Sequence, residues 1–166
     1  MSQESAPAAP PQPTEEHKKL MESVGVWNVD CTFFMDPSQP PMKVQGKETV
    51  EAFGDFWTVS LFEAEMFGAP FRGRTTFGYD PSIGKWVSTW VDTFTPALYH
   101  LQGSYDASGK KLEMSGEGFD CSSGGQTTYR TVEEHHDDGT RTFEMFMNLP
   151  DGSECKLFTH EYTRAR

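Results

Sequence analysis

The stretch TWVDTFTPALYHLQGSYD, Thr89–Asp106, holds Trp90, Asp92 and His100, residue types able to bind a small molecule or move a proton. Residues two apart on a strand share a face, so Trp86, Ser88, Trp90, Asp92 and Phe94 point the same way. A carboxylate beside an indole has two uses. It can be structural, accepting hydrogen bonds from the Thr93–Thr95 turn or from a ring N–H. It can also stand in a cavity wall, where a few polar groups orient a ligand among apolar ones. Asp92 and His100 fall on successive strands, and their convergence would permit general acid–base chemistry. In either case a buried carboxylate needs hydrogen-bonding partners.

The last apolar stretch, SECKLFTHEYTR, places Phe158, His160, Tyr162 and Arg164 on one face. If that face and the Trp86–Asp92 face both point inward, the interior is aromatic with Asp92, His100, His160 and Arg164 as its polar groups. The expected ligand-binding set is therefore Trp86, Trp90, Asp92, His100, Phe158, His160 and Tyr162. Phe143, Met145 and Met147 alternate in the same way and form either core or an adaptable apolar wall. The run His135-His136-Asp137-Asp138 invites a metal, but adjacent strand residues point to opposite faces and the run leads into a turn at Gly139. It reads as a solvated hairpin, and no metal site is expected. GxSxG, HExxH, P-loop and GxGxxG patterns are absent, so no catalytic residue is assigned.

Composition narrows the partners. With 25 acidic against 14 basic residues, the chain has a net charge of −11 and would be repelled by DNA, RNA and anionic membranes. No nucleic-acid or membrane partner is expected; a small apolar or amphipathic ligand and a homodimer remain. Cys31, Cys121 and Cys155 are too few for a disulfide framework, and reduced thiols are expected. No apolar run is long enough to span a bilayer, and MSQESAPAAPPQPTEEH has neither the basic start nor the apolar centre of a secretory signal. A cytoplasmic protein is the expectation.

Residues 1–13, rich in Ala, Pro, Gln and Ser, carry no large apolar side chain beyond the first methionine and read as a disordered tail. Residues 14–166 read as one domain. Thr14 is a helix N-cap with Glu15 and Glu16 in the first turn, and a helix over 14–25 has Leu20, Met21 and Val24 as its apolar stripe. The period then changes to two. Strands are expected over 24–35, 43–54, 55–67, 70–80, 85–94, 97–106, 110–120, 126–137, 140–149 and 153–164, separated by Gly- and Asp-containing turns such as DPSIGK and PDGS. About ten strands joined by short hairpins imply an antiparallel up-and-down meander. Closing it into a barrel removes two exposed edges, and at ten strands the barrel is wide enough to leave an interior cavity. An open two-sheet sandwich is the competing architecture.

The segments EHKKLMESVGVWNVD, FGYDPSIGKWVSTWVDTFTPALYHLQGSYD and EYTRAR resemble an uncharacterised bacterial family, domain of unknown function 1579, over about His17–Arg164. More distantly, a short helix leading into Gly25-x-Trp27 is similar to the calycin pattern of lipocalins and nitrobindin-like barrels. That resemblance implies that Trp27 plugs one barrel end with Arg164 packed on it by cation–π contact. It also implies a small-ligand barrel or, through a histidine near the chain end, a haem barrel with His160 as the iron ligand. No cofactor is assigned from the residues themselves.

Overall fold

The computed structural model describes residues 9–166; most of the expected tail, residues 1–8, lies outside the described residues. Residues 9–13 carry neither helix nor strand. The described chain forms α1 (Glu15–Met21) and ten strands: β1 (Gly25–Phe33), β2 (Met42–Phe53), β3 (Trp57–Met66), β4 (Ala69–Asp80), β5 (Lys85–Asp92), β6 (Tyr99–Tyr105), β7 (Lys111–Phe119), β8 (Gln126–His135), β9 (Arg141–Asn148) and β10 (Glu154–Arg164). Each strand pairs antiparallel with its neighbours in sequence, and β10 returns to β1, so the sheet closes into a barrel.

The helix begins where its cap predicts. The Thr14 backbone N–H donates to His17 Nδ1 at 3.0 Å, and the Thr14 hydroxyl donates to the Glu16 carboxylate at 2.6 Å. It ends four residues before the expected Gly25, where the N–H groups of Glu22, Ser23 and Val24 turn to i→i−3 bonds with Lys19, Leu20 and Met21 and the freed carbonyls beyond are met by tertiary donors. Trp27 Nε1 donates to the Ser23 carbonyl at 2.9 Å, and Arg164 donates to those of Glu22 and Val24. His17 is buried and its Nε2 donates to the Tyr79 carbonyl at 3.2 Å, fixing the helix against β4. Leu20, also buried, joins Trp86, Leu101, Leu112 and Met114 in one core cluster.

A second cluster holds Trp27, Val29, Cys31, Val50, Phe62 and Tyr162. These residues occupy alternate positions on β1, β2, β3 and β10, as an inner face requires. Two glycines let large rings lie flat on the wall. A Cβ on Gly46 would sit 2.6 Å from the Phe62 ring, and one on Gly73 would sit 1.9 Å from the Trp90 indole.

The β3–β4 hairpin turns through Phe67 and Gly68, both with positive φ, 54° and 73°. A left-handed conformation is natural for Gly68 and strained for Phe67, whose ring is left 67% exposed. The turn lies at the barrel end opposite the helix. The loops around that end also expose Phe34, Met35 and Phe94. One end of the barrel is therefore plugged by α1 and Trp27, and the other, called the mouth below, is rimmed by exposed apolar side chains.

Candidate functional site: an aromatic mouth above a buried ion cluster

Register decides which predicted residues meet. Trp86, Trp90 and Asp92 on β5 pair with Tyr79, Thr75 and Gly73 on β4, all on the inner face. Phe158, His160 and Tyr162 on β10 pair with Phe33, Cys31 and Val29 and also face inward. His100 does not. It pairs with Thr89, while Trp90 pairs with Tyr99, so His100 points outward and is exposed. The expected inward His100 is thus corrected, and with it the acid–base pair, because Asp92 and His100 occupy opposite faces of the wall. His100 instead borders an outer groove of about 360 Å³ with Phe53, Trp57 and Val87.

Asp92 is satisfied locally. It accepts from Trp90 Nε1 at 2.9 Å and from the backbone N–H groups of Phe94 and Thr95 at 2.8 and 2.7 Å. The carboxylate closes the β5–β6 loop and holds the Trp90 indole edge, as the structural use of the pair requires. Phe94, beyond the strand end, is exposed and packs edge-on against the inward-facing Phe71 with centroids 5.1 Å apart.

At the plugged end Trp27 lies between two guanidinium groups. Arg164 stacks on it at 4.2 Å, as the calycin-like pattern implies, and Arg141 lies over the ring at 4.8 Å. Arg141 is the centre of a charged cluster that strand-by-strand reading missed. Its Nη2 donates to Glu48 Oε2 at 2.5 Å and its Nη1 to Glu133 Oε2 at 3.0 Å, while Ser60 donates to Glu48 Oε1 at 2.8 Å. Glu133 also meets His135 Nε2 at 2.9 Å. Burial pushes the Glu133 carboxyl up, but Arg141 and His135 more than offset this and hold it below its usual value. The signal in the sequence was parity. Glu48 follows Val44 and precedes Val50 at alternate positions, Glu133 follows Tyr129 and Thr131, and Arg141 precedes Phe143 and Met145.

His160 lies next to this cluster, enclosed by rings. Phe158 stacks on it at 4.5 Å and Phe62 at 5.6 Å, with Phe33 edge-on at 5.8 Å and Phe143 at 6.2 Å. Its Nδ1 is 3.3 Å from the Tyr162 hydroxyl. Among the described residues, its Nε2 and Arg141 Nε are the buried side-chain nitrogens or oxygens without a partner. Burial, reinforced by Arg141, lowers the His160 pKa to about 3, so the ring is neutral near pH 7. A neutral imidazole suits a haem iron, but the space around it does not. Phe33, Phe62, Phe143 and Phe158 enclose the ring and Nε2 is buried, so the residues as they stand do not fit a macrocycle on that nitrogen.

Above His160 the inward-facing side chains pack against the two core clusters but are less completely buried. Phe33, Phe71, Trp90, Phe143, Met145 and Phe158 all face inward, yet each keeps partial exposure, whereas Trp27, Val29, Cys31, Phe62 and Tyr162 are buried. Trp86 and Tyr162 belong to the buried clusters and support the wall from below. At the far end Tyr79, Trp86 and Tyr105 border a surface groove of about 380 Å³ beside α1. His135 and His136 part company, as their parity requires. His135 contacts Glu133 and the Tyr105 hydroxyl, while His136 Nε2 lies 3.3 Å from the Thr142 hydroxyl.

A closed ten-stranded meander, stoppered at one end by a helix and a Trp–Arg stack and lined with aromatic rings at the other, defines an antiparallel up-and-down β-barrel. The chain belongs to the family described as "Protein of unknown function (DUF1579)", whose profile matches residues 12–164. The crystal structure of Rv2717c from M. tuberculosis is similar over 93% of this chain and 100% of that one, with a TM-score of 0.70 at 13% identity, a likeness of fold alone. A redesigned beta barrel, b11L5F_LGL, aligns over 93% of this chain and 100% of its own at 14% identity, with a TM-score of 0.43. No curated protein matches the sequence. All three cysteines are free, and among the described residues no helix is long and apolar enough to cross a membrane.

Proposed function

We propose that this barrel binds a small, largely apolar ligand in the mouth half of its interior, with Trp90 and Phe158 in the wall and His160 at the floor. The observation that carries this reading is the partial exposure of inward-facing aromatic and methionine side chains above a buried lower half. A wall that is apolar, with few polar groups converging on it, is how small-molecule sites are built. The strained, exposed Phe67 on the rim supports it, because backbone strain and exposed apolar rings concentrate at binding surfaces. Native mass spectrometry on protein purified gently from its host tests the reading. Extra mass on the folded species, released on denaturation, is the expected result. A bare-chain mass that incubation with apolar probes leaves unchanged would count against it.

A second reading concerns the outer wall. Phe53, Val91 and Leu98 are 67%, 43% and 61% exposed, and Trp57 and Val87 lie beside the His100 groove. Such a face suits a homodimer contact. Sedimentation should then show a dimer that Phe53→Ser with Val91→Ser dissociates, and a monomer at all concentrations would remove the reading. The three free thiols favour a reducing, cytoplasmic setting; cell fractionation tests it.

A further inference from the structure

Resting on the proposed mouth site, we infer that His160 Nε2 is a hydrogen-bond donor to the ligand, and that the ligand is a flat, uncharged, apolar molecule carrying a single acceptor oxygen, such as an aryl ketone. The argument starts from the tautomer. Tyr162 is buried, and its hydroxyl meets no acceptor among the described residues other than His160 Nδ1, 3.3 Å away. A hydroxyl that donates to Nδ1 leaves the single proton of a neutral imidazole on Nε2. That N–H is buried, lies among four aromatic rings and has no acceptor. Buried donors are almost always paired, so an unpaired one at the floor of a lined mouth marks where an acceptor belongs.

The surroundings define the rest of the molecule. The groups facing His160 are Phe33, Phe62, Phe143, Phe158, Cys31, Tyr162 and, as the charged neighbour, Arg141. A cation would meet an N–H donor and the field of Arg141. A carboxylate would be desolvated beside Glu48 and Glu133, whose two negative charges already exceed the single positive charge of Arg141. A flat neutral ring stacks on the phenyl faces and presents one oxygen to Nε2. Phe33 and Phe158 are partly exposed, and the binding of a carbonyl oxygen at Nε2 requires these rings to move aside, a side-chain change common on binding.

The test uses the full chain as wild type, His160→Leu and His160→Gln, with 2-acetylnaphthalene and 2-ethylnaphthalene as probes, followed by quenching of tryptophan fluorescence. Wild type should hold the ketone about threefold to tenfold more tightly than the hydrocarbon, the range one net hydrogen bond provides. His160→Leu should lose that preference and His160→Gln should keep part of it. The carbonyl stretch of bound ketone should lie lower in wild type than in His160→Leu. Equal binding of both probes by wild type, or a preference that survives in His160→Leu, would overturn the hydrogen bond and leave the mouth site standing. Failure of both probes to bind any of the three proteins would overturn the mouth site together with it.

Discussion

Acidification should unfold this barrel partly through one histidine. An unfolded imidazole titrates near 6.5, whereas burial and Arg141 hold folded His160 at about 3. Between those values the unfolded chain binds almost one proton more than the folded chain, so stability falls by about 1.4 kcal/mol per pH unit as pH is lowered. The direction is that of a depressed base. Its contribution is complete above about pH 6.5 and is lost progressively toward pH 3. From pH 7 to 4.5 the loss through His160 amounts to about 2–3 kcal/mol, or roughly 5–10 °C in Tm for a chain of this size. Urea titrations at half-unit steps over that range, on wild type and His160→Leu, isolate the effect, because carboxylates common to both proteins cancel in the difference. The two curves should diverge by 2–3 kcal/mol at pH 4.5 relative to pH 7. Parallel curves would refute the reasoning, as would an NMR titration placing the folded His160 ring near its ordinary value.

Other substitutions follow from the same geometry. Arg141→Met leaves Glu48 and Glu133 facing each other without their cation and should cost about 3–5 kcal/mol by chemical denaturation, while adding Glu48→Gln and Glu133→Gln should recover most of it. Asp92→Ala removes the acceptor for Trp90 Nε1 and two backbone N–H groups and should cost about 2–3 kcal/mol, with a shift in tryptophan emission as the indole edge is released. Gly73→Ala drives a methyl into the Trp90 ring and should destabilise by about 1–3 kcal/mol and alter the near-ultraviolet circular dichroism. Phe67→Asn relieves a left-handed phenylalanine and should raise stability by roughly 1 kcal/mol while weakening retention of an apolar probe.

How much of this was legible in the chain differs from element to element. Alternation of β-branched and aromatic residues between Gly- and Asp-bearing turns places all ten strands to within about two residues of their observed ends. The sum rule of an antiparallel pair then explains the success and the failure of the face assignments. Trp27 and Arg164 lie on terminal strands whose pairing follows from closure, and they meet as expected. Across β5 and β6 the six-residue loop containing Pro96 sets the pairing of Trp90 with Tyr99, an even position opposite an odd one, and that sends His100 outward. No local propensity fixes the parity of such a loop.

The sequence by itself determined the strand count and the alternation of faces within each strand and favoured a closed meander over an open sandwich, because these depend on a period of two, on turn chemistry and on the cost of unpaired edges. Tertiary structure alone decided the rest. Glu48 and Arg141, 93 residues apart, meet only because the barrel wraps β2 and β9 around one core. His160 becomes a neutral, unpaired donor only because four rings and a buried guanidinium surround it in space. Charge state and hydrogen-bond vacancy are properties of that surrounding volume, and a strand pattern carries no information about what stands across the barrel.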